Sequence, residues 1–172
     1  ATQPVAGDKT DPKSEEPTDT EPLLRVRNLK THFHTDEGTV RAVDGIDYDV
    51  QPGECLGIVG ESGSGKSVGQ VSILGLIPTP PGEIVDGEIL FRGENLLEKS
   101  ERELRALRGN QISMIWQDPM SSLNPFLKIS TQLVEPLTVH QDMGRKPARE
   151  RAIEMLDKVG IPGARDRIDQ YP

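Results

Sequence analysis

Residues 55–67 read C-L-G-I-V-G-E-S-G-S-G-K-S, an apolar run from Cys55 to Val59 that breaks into the loop Gly60-Glu61-Ser62-Gly63-Ser64-Gly65-Lys66-Ser67. The run is short, apolar on both faces and preceded by the turn Pro52-Gly53, the pattern of a strand buried inside a sheet. The loop matches G-x-x-x-x-G-K-[ST]. Glycines let the chain turn tightly so that backbone amides can approach phosphate oxygens, the lysine reaches the terminal phosphates, and the hydroxyl after it can ligate magnesium. With glycine near 7% of residues, a chance match in a chain of this length is roughly a one-in-a-hundred event. Placement between an apolar strand pattern and a helical one is what the mechanism demands, so the stretch is read as a cradle for ATP with Mg2+.

Outward from the loop, Leu24 and Val26 alternate with Arg25 and Arg27, and Ile46, Tyr48 and Val50 alternate with Asp47 and Asp49, predicting half-buried strands. Lys66 to Ile77 predicts a helix despite Gly69 and Gly75, stopped by the proline-rich stretch 78–82. A further strand over Glu88 to Arg92 leads to Ser100-Glu101-Arg102-Glu103, a capping box that opens a helix over 101–108, ended by Gly109. Ile112 to Trp116 predicts a second buried strand, which delivers Gln117-Asp118-Pro119 to a loop. Beyond Asn124-Pro125 the pattern is helical, with Ile129, Leu133, Val134 and Leu137 in register. Pro147 then opens a helix whose Ala152, Met155, Leu156 and Val159 share a face and which Gly160 closes.

The 172 residues suffice for one compact domain. Residues 1–22 carry four prolines and six acids against two lysines, the composition of a disordered tail that supplies half of the net charge of −8. An acidic balance argues against a general nucleic-acid binder, which needs excess cations to neutralise phosphates. Cys55 is the single cysteine, so an internal disulfide and a soft-metal cluster are excluded. As part of a buried strand it is read as a small hydrophobe. His32, His34 and His140 stand apart from any acid or cysteine cluster and are read as ordinary surface or core residues. The chain opens on Ala1 rather than Met, and no run approaches the roughly 18 apolar residues of a membrane span.

The loop alone fits kinases, GTPases, helicases and transporter ATPases. Antiparallel strands ahead of it, an aromatic in T-H-F-H-T-D-E-G-T-V at 31–40, and M-I-W-Q-D-P at 114–119 together resemble the ATP-binding subunits of ABC transporters. G-E-I-L-F-R-G-E-N-L-L at 87–97, E-R-E-L-R-A-L-R-G at 101–109 and S-S-L-N-P at 121–125 resemble the dipeptide and oligopeptide importer branch, which includes nickel importers. The resemblance covers 23–172. It implies an α/β P-loop NTPase core of the ABC ATPase kind with an antiparallel β subdomain over 23–124, and the start of a helical subdomain over 125–172.

For individual residues, the resemblance implies nucleotide contact along Gly60 to Ser67 and adenine stacking on Phe33, where tyrosine is commoner in the family. It implies catalytic roles for Lys66 and Gln117, and magnesium ligation by Ser67 and Gln117. As partners it implies two membrane permeases, a second ATPase subunit and, indirectly, an extracellular binding protein, with the chain on the cytoplasmic face of the membrane. The family's signature motif, its Walker B strand with the catalytic glutamate and its switch histidine would follow Pro172. These residues alone are therefore not expected to turn over ATP, and the sheet, lacking later strands, is expected to expose edges and associate. A nucleotide-binding module without hydrolysis and an importer of nickel or oligosaccharide stand as alternatives. An ABC protein of DNA repair or translation is disfavoured by S-S-L-N-P and the acidity.

Overall fold

The computed structural model describes residues 21–118 and 122–172; nearly all of the acidic stretch 1–22 lies outside them, as do Pro119, Met120 and Ser121. The alternating patterns become two long strands, β1 (Leu24–Thr35) and β2 (Gly38–Val50), joined by a tight hairpin. Later strands β3 (Gly82–Phe91) and β4 (Glu94–Asn95) complete an antiparallel sheet of order β2-β1-β3-β4. β1 is thus the central strand, paired with β2 on one edge and β3 on the other.

The pairing of β1 shifts register between Val26 and Leu29, and the extra residue, Asn28, adopts φ 46°. Its backbone amide donates to Asp47 and its side-chain amide to Asp86, so a bulge that would orphan polar groups is tied to both neighbouring strands. The shift puts Val26, Leu29 and Thr31 on one fully buried face. Around them gather Val43, Ile89, Phe91 and Leu96, with Ile46, Val68, Ile73 and Leu104 packed alongside. Each fully buried aliphatic contributes about 1.5–3 kcal/mol relative to exposure. On the opposite face Arg27 donates to Asp49 across 2.7 Å, and this hydrogen bond holds the Asp49 carboxyl below the usual range.

Helix α1 (Lys66–Ile73) follows the glycine loop and lies against β1 and β2. It stops before the expected Ile77 for a local reason. Gly75 takes φ 61°, Leu76 N–H donates to the Val71 carbonyl and Gly75 N–H to that of Ser72, the paired closure of a Schellman end. Arg108 completes that end: its guanidinium donates to the Leu74 carbonyl (2.7 Å), the Gly75 carbonyl (3.1 Å) and the Glu101 carboxylate (2.9 Å). Glu101 opens helix α2 (Glu101–Leu107), which carries the expected capping box between Ser100 and Glu103.

Two expected strands do not form. Cys55 to Val59 and Ile112 to Trp116 carry no regular secondary structure and join no ladder beyond one bridge between Arg108 and Ile112. Cys55 is exposed, as are Val59 (95%) and Ile115 (94%), so the reading of Cys55 as a buried hydrophobe is corrected. An apolar run becomes a strand only when neighbours take up its amides and carbonyls, and no other described strand lies beside either segment.

A second, smaller core lies in the C-terminal third. Helices α3 (Ile129–His140), α4 (Arg145–Lys158) and α5 (Ala164–Arg167) bury Ala152, Ile153, Ala164 and Ile168, with Leu133, Val134 and Leu156 against them. Ala152 and Leu156 face this core as expected, whereas Met155 and Val159 point to solvent and Ile153 takes their place. Gly160, at φ 80°, closes α4 as its position predicts. None of the helices among the described residues is long and apolar enough to cross a membrane.

Two outcomes follow. Removing the guanidinium that joins α1 to α2, in Arg108→Ala, lowers the unfolding free energy by about 1.5–3 kcal/mol in urea titration; a change below about 0.5 kcal/mol would show the clamp to be idle. The bare apolar segments are expected to make the chain self-associate, and Val59→Lys with Ile115→Lys to raise the monomer fraction in gel filtration with light scattering. A wild-type chain already monomeric at high concentration would contradict this.

Candidate functional site

The loop at 60–67 is shaped by positive-φ glycines and by the closeness of α1 to the sheet. Gly63 and Gly65 adopt φ 82° and 88°, a region that side chains rarely enter. Gly65 is the N-cap of α1 and has no side chain to cap it, so the first amides of the helix point at the loop's concave side unshielded. A Cβ on Gly65 would come within 2.2 Å of the Ala42 carbonyl oxygen on β2. The glycine therefore serves both the turn and the contact with the sheet.

Lys66 folds back over the loop. Its ammonium donates to the carbonyls of Gly60 (2.7 Å) and Glu61 (2.6 Å) and to the Ser64 hydroxyl (3.2 Å). All three partners are neutral oxygens at an exposed site, so the cation keeps its charge uncompensated and can exchange them for anionic oxygens. A cleft lined by Ser62, Gly63, Ser64, Gly65, Lys66 and Ser67 also takes in Ala42, Val68 and Gln117. The structure thus brings Gln117, fifty residues on from Ser67 in sequence, to the same cleft as the loop. On the loop's other side a second cleft runs under Gly60 and Lys66 between Ala42, Ile46 and Tyr48 of β2 and Gly69 of α1.

Phe33 sits elsewhere. It lies opposite Val40 and Gly82 in the sheet, with its ring edge over Gly82 beside Ile77, and it lines neither cleft flanking the loop. Glu61 contributes its carbonyl to Lys66 but does not line either cleft with the remaining loop residues. Ala42 lines both clefts and is absent from the residues that sequence reasoning selected. Nothing in its local pattern marks it, because its place is set by strand pairing and by the approach of Gly65.

Gly65→Ala forces either the Ala42 carbonyl or α1 to move, and adds the cost of a side chain at positive φ, about 1–2 kcal/mol before the clash. The expected result is a melting temperature lowered by several degrees. A variant with an unchanged melting temperature would show that the Gly65 to Ala42 approach is not fixed.

The geometry can be set beside known proteins. The sequence profile of the family described as "ABC transporter" matches residues 43–172. The chain is 49% identical over 150 residues to a probable peptide ABC transporter ATP-binding protein of Sinorhizobium fredii, covering 87% of this chain and 45% of that protein. It is 47% identical to the oligopeptide transport ATP-binding protein OppD of Bacillus subtilis, covering 87% and 42%. With the dipeptide transport ATP-binding protein DppD of Escherichia coli the identity is 47%, covering 87% and 46%. The chain therefore spans less than half the length of these relatives. A solved dimeric ATP-binding cassette, MJ0796 bound to ADP and Pi, superposes with a TM-score of 0.74 over 87% of this chain and 62% of the other at 22% identity, a likeness of fold. With a P-loop framed by an antiparallel sheet, a family match over three quarters of its length and a cassette fold, this chain belongs to the ABC transporter ATP-binding family.

Proposed function

We propose that the chain binds Mg-ATP along Gly60 to Ser67 and forms the nucleotide-holding part of the ATP-binding subunit of an importer of dipeptides or oligopeptides. The observation that carries the reading is the position of Lys66, whose ammonium rests on three neutral loop oxygens above the open N-terminus of α1. Phosphate oxygens compete well for such a cation, because charge-assisted hydrogen bonds are about twice as strong as neutral ones, and the helix amides add a fixed positive pole.

The residues present fit a magnesium ion. Ser67 and Gln117 bring neutral oxygen donors to one cleft, and Mg2+ takes few protein ligands while keeping waters and substrate phosphates around it. These two side chains would hold the ion, which when bound offsets charge on the phosphates. Lys66 anchors the terminal phosphate, and Gln117 orients the ion or a water beside it.

Peptide cargo is supported by the likeness to peptide, oligopeptide and dipeptide transport ATP-binding proteins. Permease partners, a second ATPase subunit, an extracellular binding protein and a place on the cytoplasmic face of the membrane are proposed from membership of the ABC transporter family. Phe33 as the adenine platform is part of the same proposal and requires the ring to serve from the sheet's end rather than from the clefts beside the loop. Hydrolysis is proposed for the whole subunit, not for these residues alone.

Trp116 precedes Gln117 and is half exposed, so it reports on the cleft. Titrating Mg-ATP is expected to change its fluorescence with saturation, and Lys66→Ala to weaken retention of labelled ATP by roughly a hundredfold, about 3 kcal/mol of charge-assisted bonds. Equal ATP retention by wild type and Lys66→Ala in equilibrium dialysis would sink the reading.

A further inference from the structure

We infer that the buried pair Thr31 and Ser72 is a positioning device for the phosphate loop, acting through α1; this rests on the nucleotide reading above. Thr31, on the central strand, and Ser72, in the last turn of α1, are the two fully buried polar side chains among the described residues, each 0% exposed. Their oxygens stand 2.8 Å apart across 41 residues of sequence. Ser72 also donates its single proton to the Val68 carbonyl one turn back, at 2.7 Å. Since a hydroxyl has one proton to give, Thr31 must be the donor to Ser72.

The direction of this chain makes the pair specific. Thr31 has one acceptor within reach, Ser72 has one donor, and an axial slip or rotation of α1 by even one residue would leave a hydroxyl without a partner in an apolar core. Val68 and Ile73 of α1 pack against the sheet core, but such packing is non-directional, and along the line of closest approach α1 presents small residues. Gly65 meets the Ala42 carbonyl, Gly69 is buried against Ile46, and Ser72 meets Thr31. These positions fall four and three residues apart, along one helix face. Glycine contacts permit close approach but hold no register, so the hydroxyl pair is the directional contact that ties α1 to the central strand, while the Gly75 closure and Arg108 hold the helix end. Lys66 and Ser67 occupy the first turn of this eight-residue helix, so the register set at Ser72 is the register of both side chains.

The test uses the full chain with Thr31→Val, which keeps shape and removes the donor, Ser72→Ala, and Thr31→Ser, which restores a hydroxyl. Melting temperature is measured first so that every variant is compared while folded. In equilibrium dialysis with labelled Mg-ATP, Thr31→Val and Ser72→Ala are expected to weaken binding by roughly tenfold, as loss of a supporting hydrogen bond behind a ligand does, with Thr31→Ser within about twofold of wild type. Hydrogen exchange without nucleotide gives the second readout. The Gly69 amide, bonded to the Gly65 carbonyl, is expected to exchange faster in Thr31→Val while amides of the β1–β3 ladder keep their wild-type rates. Wild-type affinity and wild-type Gly69 exchange in folded Thr31→Val and Ser72→Ala would overturn the inference. Should wild type fail to bind Mg-ATP, the nucleotide reading falls, and the exchange pattern still decides the role of the pair.

Discussion

The rest of the structure depends on how closely α1 lies against the antiparallel sheet. At Gly65 the approach is near enough that no other residue fits, because a Cβ would overlap the Ala42 carbonyl. That one contact sets the φ of the N-cap, the direction of the free helix amides and the position from which Lys66 reaches back over the loop. The far end of the helix is held as well, by the Schellman closure at Gly75 and by Arg108, which spans from the Leu74 and Gly75 carbonyls just past α1 to Glu101. A phosphate cradle is thus the open end of a helix clamped at its other end.

The antiparallel sheet is the platform for this arrangement. Its central strand buries Val26, Leu29 and Thr31 together because the bulge at Asn28 returns Leu29 and Thr31 to the face of Val26. Without the bulge, the pleat would send Thr31 to the other side and Ser72 would lose its partner on the strand. The bulge is tied by Asp47 on one neighbour and Asp86 on the other, so polar groups at the sheet's surface decide what meets the helix beneath it.

Much of this was legible in residue order. The alternation in β1 and β2, the capping box at Ser100, the glycine closing α4 and the phosphate loop are local patterns whose physics acts within a few residues, so they are read without knowing the partners. Cys55 to Val59 and Ile112 to Trp116 were misread for the opposite reason. Both have the apolar content of buried strands, but a strand is a relation between segments, and the ladder that would bury them is not made by the described residues. Ala42 was missed because it lines the clefts through pairing rather than through its own chemistry, and Gln117 could be selected only by resemblance.

What the sequence by itself determined is the chemistry of the loop: eight residues whose glycines, lysine and serine can cradle phosphate through short-range geometry, and a family pattern that runs through the chain. What only the tertiary structure decided is where that chemistry stands. The shared cleft of Gln117 and Ser67, the hold of Arg108 on the end of α1 and the hydroxyl pair of Thr31 and Ser72 each bring together segments more than thirty residues apart. Such arrangements exist only after the sheet has formed, and the hydrogen bonds among them are directional and vanish with a shift of a single residue.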